Sequence, residues 1–338
     1  MKAIGFKRSL AIEQEESFIA FEMDMPTPTG RDLLVKIAAI SVNPVDFKIR
    51  QQSARSISLE EPKVMGWDAV GIVEAVGEAV ELFKVGDKVF YAGDITRTGC
   101  NAEYQLIDER IVGISPQKLS DEAIAAMPLT TLTAWEILFD RIRIQEKDKG
   151  KTILIIGGAG GVGSVAIQIA KKIAGLTVIT TASRLDSKKW CLQQGADYVV
   201  DHRDLVNQVR GLGFQYVDFI LDFVDTNSYW DSMVELIKPQ GHIASITGSS
   251  EPIALNKLKA KSISFSWELM YTRSSFQTED MIAQHHILNK AAELLDQGIL
   301  KTTLNRTLVG FNVENLKEAH KQLESGTTIG KIAIKYLE

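Results

Sequence analysis

The residues best spaced for chemistry lie at 153–171, ILIIGGAGGVGSVAIQIAK. Gly158, Gly160 and Gly163 form a G-x-G-x-x-G pattern that directly follows an apolar strand pattern and opens an amphipathic helix pattern, the context in which such a loop binds a dinucleotide. Gly158 is expected to make the tight turn, Gly160 to let the main chain approach a pyrophosphate, and Gly163 to allow close packing of helix on strand. Gly161 and Val162 then belong to the helix start, whose free N–H groups attract phosphate. The place where a carboxylate would hold a ribose 2′-OH, about 20 residues further on, reads TTASRLDSKK (180–189). Ser183, Arg184 and Lys188 offer a hydroxyl and two cations there, which suits a 2′-phosphate and predicts NADPH as cofactor. Asp186 lies past the strand end and is expected to cap the next helix.

A second corner is KVMGWDAVGIVEAVG (63–77), where Trp67 and Asp68 stand at the mouth of an alternating, strand-like run. No metal is expected near it. Cys100 and Cys191 are too few for a thiolate site or a disulfide framework and are expected to be buried. His202, His242, His285, His286 and His320 show no metal-ligand spacing.

These groups are carried by 338 residues, 45% hydrophobic and 24% charged, with a net charge of −5 spread along the chain. That composition suits a globular protein of two domains and leaves out a nucleic-acid footprint or a polybasic membrane patch. The N-terminus lacks a signal-peptide pattern and no stretch is long and apolar enough to span a bilayer, so a cytoplasmic protein acting on a small molecule is expected.

Up to about residue 128 the pattern is short strands divided by turns, LLVKIAAISV, GIVEAVG, DKVFYAG and AEYQLID, predicting a β-rich, barrel-like unit. From about 150 strand and helix patterns alternate, predicting an α/β fold with a doubly wound parallel sheet of the Rossmann type. The expected boundaries are 1–128 for the β-rich catalytic domain, 129–264 for the nucleotide-binding domain, and 265–338 for a return to the first. The cleft between domains is the expected ligand site.

SVNPVDFKIR, GWDAVGIVEAVG, VGDKVF, AEY, LTTLTAWEIL and GGAGGVG together resemble the medium-chain dehydrogenase/reductase superfamily, in its zinc-independent quinone-reductase branch. FSWELMYTRSSFQTEDMI and GTTIGKI are similar to bacterial proteins of the zinc-type alcohol dehydrogenase-like group. The resemblance spans nearly the whole chain and implies a GroES-like fold for the first domain and a homodimer. Where zinc-dependent members place Cys, His and Cys ligands, this chain has Asn43, Trp67 and a residue near Leu129 or Thr130, and the four-cysteine structural lobe is absent. For the cofactor it implies Thr133 near the nicotinamide, His202 and Ser183 near the adenosine phosphate, and Val224, Thr247, Gly248 and Lys331 around the rest.

The expected catalytic set is Asn43, Lys48, Trp67 and Tyr91. Asn43 can bond a substrate carbonyl or the nicotinamide ribose. Lys48 stands where some quinone reductases carry Tyr, and Trp67 is an aromatic wall, a core residue, or both. Asp46 is expected to fix the Asn43 loop, and Trp267 and Tyr271 to join Trp67 and Tyr91 in an aromatic pocket. Without a metal to stabilise an alkoxide, an aliphatic alcohol keeps its proton about as tightly as water, pKa roughly 16. Hydride addition to a quinone or an α,β-unsaturated carbonyl is then the expected reaction, since conjugation spreads the new charge. The alternative is a non-catalytic NADPH-binding redox sensor or structural protein.

Overall fold

The chain begins with β1 (Lys2–Phe6), β2 (Ile19–Glu22), β3 (Asp32–Ser41), α1 (Pro44–Ser53), β4 (Lys63–Val64), β5 (Asp68–Val76), β6 (Lys88–Tyr91), β7 (Tyr104–Asp108), β8 (Val112–Ile114), α2 (Asp121–Ala125) and α3 (Pro128–Trp135). It continues with β9 (Thr152–Ile156), α4 (Gly161–Lys172), β10 (Thr177–Thr181), α5 (Leu185–Gln194), β11 (Tyr198–Val200), α6 (Leu205–Gly211), β12 (Val217–Asp222), α7 (Thr226–Leu236), β13 (Ile237–Ser245) and β14 (Ser264–Trp267). The last stretch holds α8 (Thr272–Ser275), α9 (Ala283–Asp296), β15 (Leu304–Val309), α10 (Val313–Glu324) and β16 (Lys331–Lys335). This computed structural model describes residues 1–337.

Two units result, Met1–Leu132 with Tyr271–Glu338, and Thr133–Met270. The changeovers fall after 132 and 270 rather than 128 and 264. Helix α3 runs through the first changeover, so no turn residue marks it, and β14 belongs to the second unit because it pairs with β13.

In the first unit β3 is the hub. It pairs antiparallel with β5, β7 and β16, within a sheet ordered β15-β16-β3-β5-β6-β8. Ser41 at its end lies opposite Asp68 of β5 on one side and Ala333 of β16 on the other. This register brings together residues 43, 68 and 331, far apart in sequence.

The second unit is a six-stranded parallel sheet in the order β11-β10-β9-β12-β13-β14. Ile153, Leu154, Ile155 and Ile156 of β9 are all fully buried, as a central strand covered on both faces requires. The strand order reverses between β9 and β12, and in such sheets the ligand crevice opens beyond the carboxyl ends of the strands at that point. Among the described residues no helix is long and apolar enough to cross a membrane.

Candidate functional site

The glycine loop joins β9 to α4 at this reversal. The left-handed residue of the turn is Gly157, at φ 91°, not Gly158. Gly158 is needed for a different reason: a Cβ there would overlap Thr180 Oγ1 on the neighbouring strand β10. Gly163 meets its expectation, because a Cβ would collide with the Gly157 carbonyl and the Gly158 backbone. Gly160 is the N-cap of α4 and faces open space, a hypothetical Cβ lying 3.7 Å from its nearest neighbour. Among the described residues no side chain caps the helix, and the first bond within it runs from Ser164 N–H to Gly160 O at 2.9 Å. The amides of Gly161, Val162 and Gly163 therefore head the helix without an intrahelical acceptor, an arrangement suited to an anion. The helix-start amides and the room left at Gly160 fit a pyrophosphate.

Ser183, half-buried, follows β10, and exposed Arg184 is the N-cap of α5. Lys188 lies one turn on, its N–H donating to Arg184 O at 2.9 Å, so both cations share one end of one helix. Asp186 is in the first turn of α5 rather than at its cap. His202 is exposed just past β11, whose Val200 O accepts from Ala182 N–H at 3.0 Å, placing the β10 and β11 ends side by side.

Three further predicted contacts also follow strand ends or flank the sheet. Val224, half exposed, reaches the space beside Gly157. Thr133 is buried in α3. Gly248 is exposed after β13. The Thr247 hydroxyl is engaged with Thr226 (2.9 Å), Ser245 (3.1 Å) and Asp222 Oδ2 (3.2 Å), a buried cluster that ties β12, β13 and α7 together.

In the first unit the predicted catalytic set separates. Asp68, at the start of β5, is the centre of a buried knot. Its Oδ1 accepts from Leu129 N–H at 2.7 Å, and its Oδ2 from Asn43 Nδ2 at 2.8 Å and Lys331 Nζ at 2.9 Å. Lys331 also donates to Val42 O at 2.9 Å and to Asn43 Oδ1, which uses all three of its protons. Lys331, expected around the cofactor, and Asn43, expected as a donor, are thus engaged with one another and with Asp68, since burial makes these charges and amides satisfy one another.

Trp67 is fully buried and donates from Nε1 to Asp94 O at 3.0 Å, with Tyr271 edge-on at 6.1 Å. It is a core residue here. Tyr91 is also fully buried, its hydroxyl has no hydrogen-bond partner among the described residues, and burial raises its pKa well above the usual phenol value. Lys48 is exposed on α1, outside the knot. Trp267, at the end of β14, is half exposed. Asp46 meets its expected role, its Oδ2 accepting from Asn43 N–H at 2.8 Å, while burial pushes its carboxyl up to about 7. Both cysteines are buried, and burial raises both thiols, Cys191 to about 12.

Sequence reasoning missed Asp68 as the organising group and missed Ser164 and Trp190 beside the glycine loop. A lysine three places after GTT and a carboxylate opening a strand were visible, but their adjacency depends on the pairing of β3.

Two family models match the chain: an alcohol dehydrogenase GroES-like domain over residues 29–117 and a zinc-binding dehydrogenase over 194–334. A zinc-type alcohol dehydrogenase-like protein of Staphylococcus epidermidis is 46% identical over 338 residues, covering 99% of each chain. The 2-methylene-furan-3-one reductase of Solanum lycopersicum is 29% identical over 313 residues, 89% of this chain and 71% of that protein. The structure of Escherichia coli quinone oxidoreductase complexed with NADPH matches with a TM-score of 0.83 at 25% identity, over 99% of this chain and all of that one.

Proposed function

This chain belongs to the medium-chain dehydrogenase/reductase superfamily of oxidoreductases, and from that premise we propose that it reduces quinones or α,β-unsaturated carbonyls with NADPH and without a metal. The observation that carries this reading is the closed knot of Asp68, Asn43, Lys331 and the Leu129 amide.

The zinc in the names of its relatives does not fit these residues. An amide, an indole and a backbone N–H stand at the three places in question, and the nearest carboxylate already accepts three hydrogen bonds, one from a buried ammonium. Among the described residues no three His, Cys, Asp or Glu side chains gather to hold an ion. Alcohol oxidation would then lack the cation that stabilises an alkoxide, a contribution of several kcal/mol. A conjugated acceptor spreads its developing charge and makes a smaller demand.

NADPH fits the second unit, and when bound it supplies the hydride. The start of α4 holds the pyrophosphate on its free amides, and Gly160 leaves room for it. Ser183, Arg184, Lys188 and His202 receive the adenosine phosphate, where a carboxylate would repel it. Thr133, Val224 and Gly248 flank the remainder. The same reading takes the protein as a cytoplasmic homodimer acting on a small molecule. A quinone and an enone reductase among its relatives support the substrate class.

The test is NADPH consumption over a panel of quinones, enones and alcohols by chelator-treated protein. Turnover with conjugated acceptors and little or none with ethanol and NADP is expected. Rapid ethanol oxidation, or no acceptor at all despite NADPH binding, contradicts the proposal.

A further inference from the structure

We infer that Trp190 is a positioning residue for the pyrophosphate loop, acting through Ser164, and that it ties this loop to the helix carrying the phosphate-binding cations. The inference rests on the cofactor reading above and assigns it two side chains outside the glycine motif.

Ser164 is fully buried in the first turn of α4. Its hydroxyl donates to Gly160 O at 2.6 Å while its own N–H donates to the same oxygen at 2.9 Å. Gly160 is the residue whose backbone a pyrophosphate must approach, so this double bond to its carbonyl fixes the plane of the next amide. A serine hydroxyl alone can rotate to another acceptor. Here it is held by a second partner: the indole Nε1–H of Trp190, on α5, donates to Ser164 Oγ at 2.7 Å. An indole has only a donor to offer, so the accepting side of Ser164 is committed to Trp190 and its proton is directed to Gly160.

The relay also joins two helices. A buried amide pair, Gln168 Nε2 to Gln194 Oε1 at 2.9 Å, links α4 to α5 one turn beyond Ser164 and at the far end of α5. With both contacts in place, the α5 end that carries Arg184 and Lys188 is held in register with the start of α4. A preorganised anion site binds more tightly because less ordering is left to the ligand. The relay thus acts on dinucleotide binding, not on the transfer step.

The experiment measures dissociation constants of NADPH and NADH, with KM and kcat, for the full chain and for Trp190→Phe, Ser164→Ala and the double variant. Losing one neutral hydrogen bond and the order it imposes should weaken NADPH binding by about fivefold to tenfold. The loss should appear in the cofactor KM rather than in kcat, and the double variant should be no worse than the worse single one. A thermal midpoint for Trp190→Phe close to that of the parent separates positioning from loss of fold. Unchanged NADPH binding in Trp190→Phe, or single effects that add in the double variant, overturns the inference. Should Trp190→Phe fail to fold, Ser164→Ala alone carries the test, since it removes both bonds from a small buried site. Failure of the parent chain to bind either dinucleotide would instead overturn the cofactor reading.

Discussion

The proposed choice of NADPH rests on Arg184 and Lys188. They sit one helical turn apart beside the end of β10, with Ser183 between strand and helix. A charge-assisted hydrogen bond to phosphate contributes about 1.5–3 kcal/mol, and exposure to solvent lowers this toward the smaller figure. Replacing both by Ala should weaken NADPH binding roughly tenfold to a hundredfold and leave NADH binding within about threefold, as read by titration of each dinucleotide. Equal affinity of the parent chain for the two cofactors would contradict the assignment. Asp46 gives a prediction of another kind. Burial is the main cause of its raised pKa of about 7, opposed by the Asn43 N–H and Lys331 and assisted by Asp68. A carboxyl whose folded pKa lies above its unfolded value stabilises the fold in its protonated form, and that contribution is lost as pH rises through about 7. Asp46→Asn keeps an acceptor for Asn43 and removes the titration. It should therefore raise the thermal midpoint relative to the parent above neutral pH, with the gain vanishing near pH 4, about the unfolded carboxylate pKa. A pH-independent difference would show that Asp46 does not titrate in this range.

Strands β3, β5 and β16 and the start of α3 meet at Asp68, and the energetics of that meeting belong to the elements rather than to any one residue. Lys331 and Asp68 are both almost wholly buried, with side chains 4% and 0% exposed. Removing one member of a buried pair leaves the other uncompensated, at a cost of about 3–5 kcal/mol, whereas replacing both by neutral groups is often nearly neutral. Asp68→Asn should thus lower the unfolding midpoint of the first unit sharply, and Asp68→Asn with Lys331→Met should recover most of it. Two independent, additive losses would mean that the pair is not coupled. This knot also shows what the chain reveals by itself. The strand ILII, the glycines and the helix after them are local features, set by periodicity within a dozen residues, and they appear where the pattern puts them. The knot joins residues 43, 68, 129 and 331, and only the register of β3 against β5 and β16 brings them together. For the same reason Asn43 and Lys331 read as open functional groups in sequence, while the fold commits them to each other. Gly158 was misread more subtly, since the spacing identifies the loop but not which glycine carries the left-handed turn.

At the scale of the whole molecule, the division into a β-rich unit and a parallel-sheet unit was legible because the rhythm of the chain changes near residue 150. The exact changeovers were not, since α3 continues through one and β14 carries the second unit past the expected boundary at 264. Ser183, His202 and Val224 follow the carboxyl ends of β10, β11 and β12, so the glycine loop is legible from local spacing, whereas the partners proposed for it come only from the family resemblance. The central claim is that hydride passes from NADPH to a conjugated acceptor on a protein that needs no metal. It is tested most directly by incubating chelator-treated protein, its metal content checked by elemental analysis, with an enone and NADPH deuterated at the transferable position. The account predicts deuterium at the β-carbon of the saturated product at a rate unchanged by added zinc. Absence of label from that carbon, or transfer that disappears on chelation and returns with zinc, would contradict it.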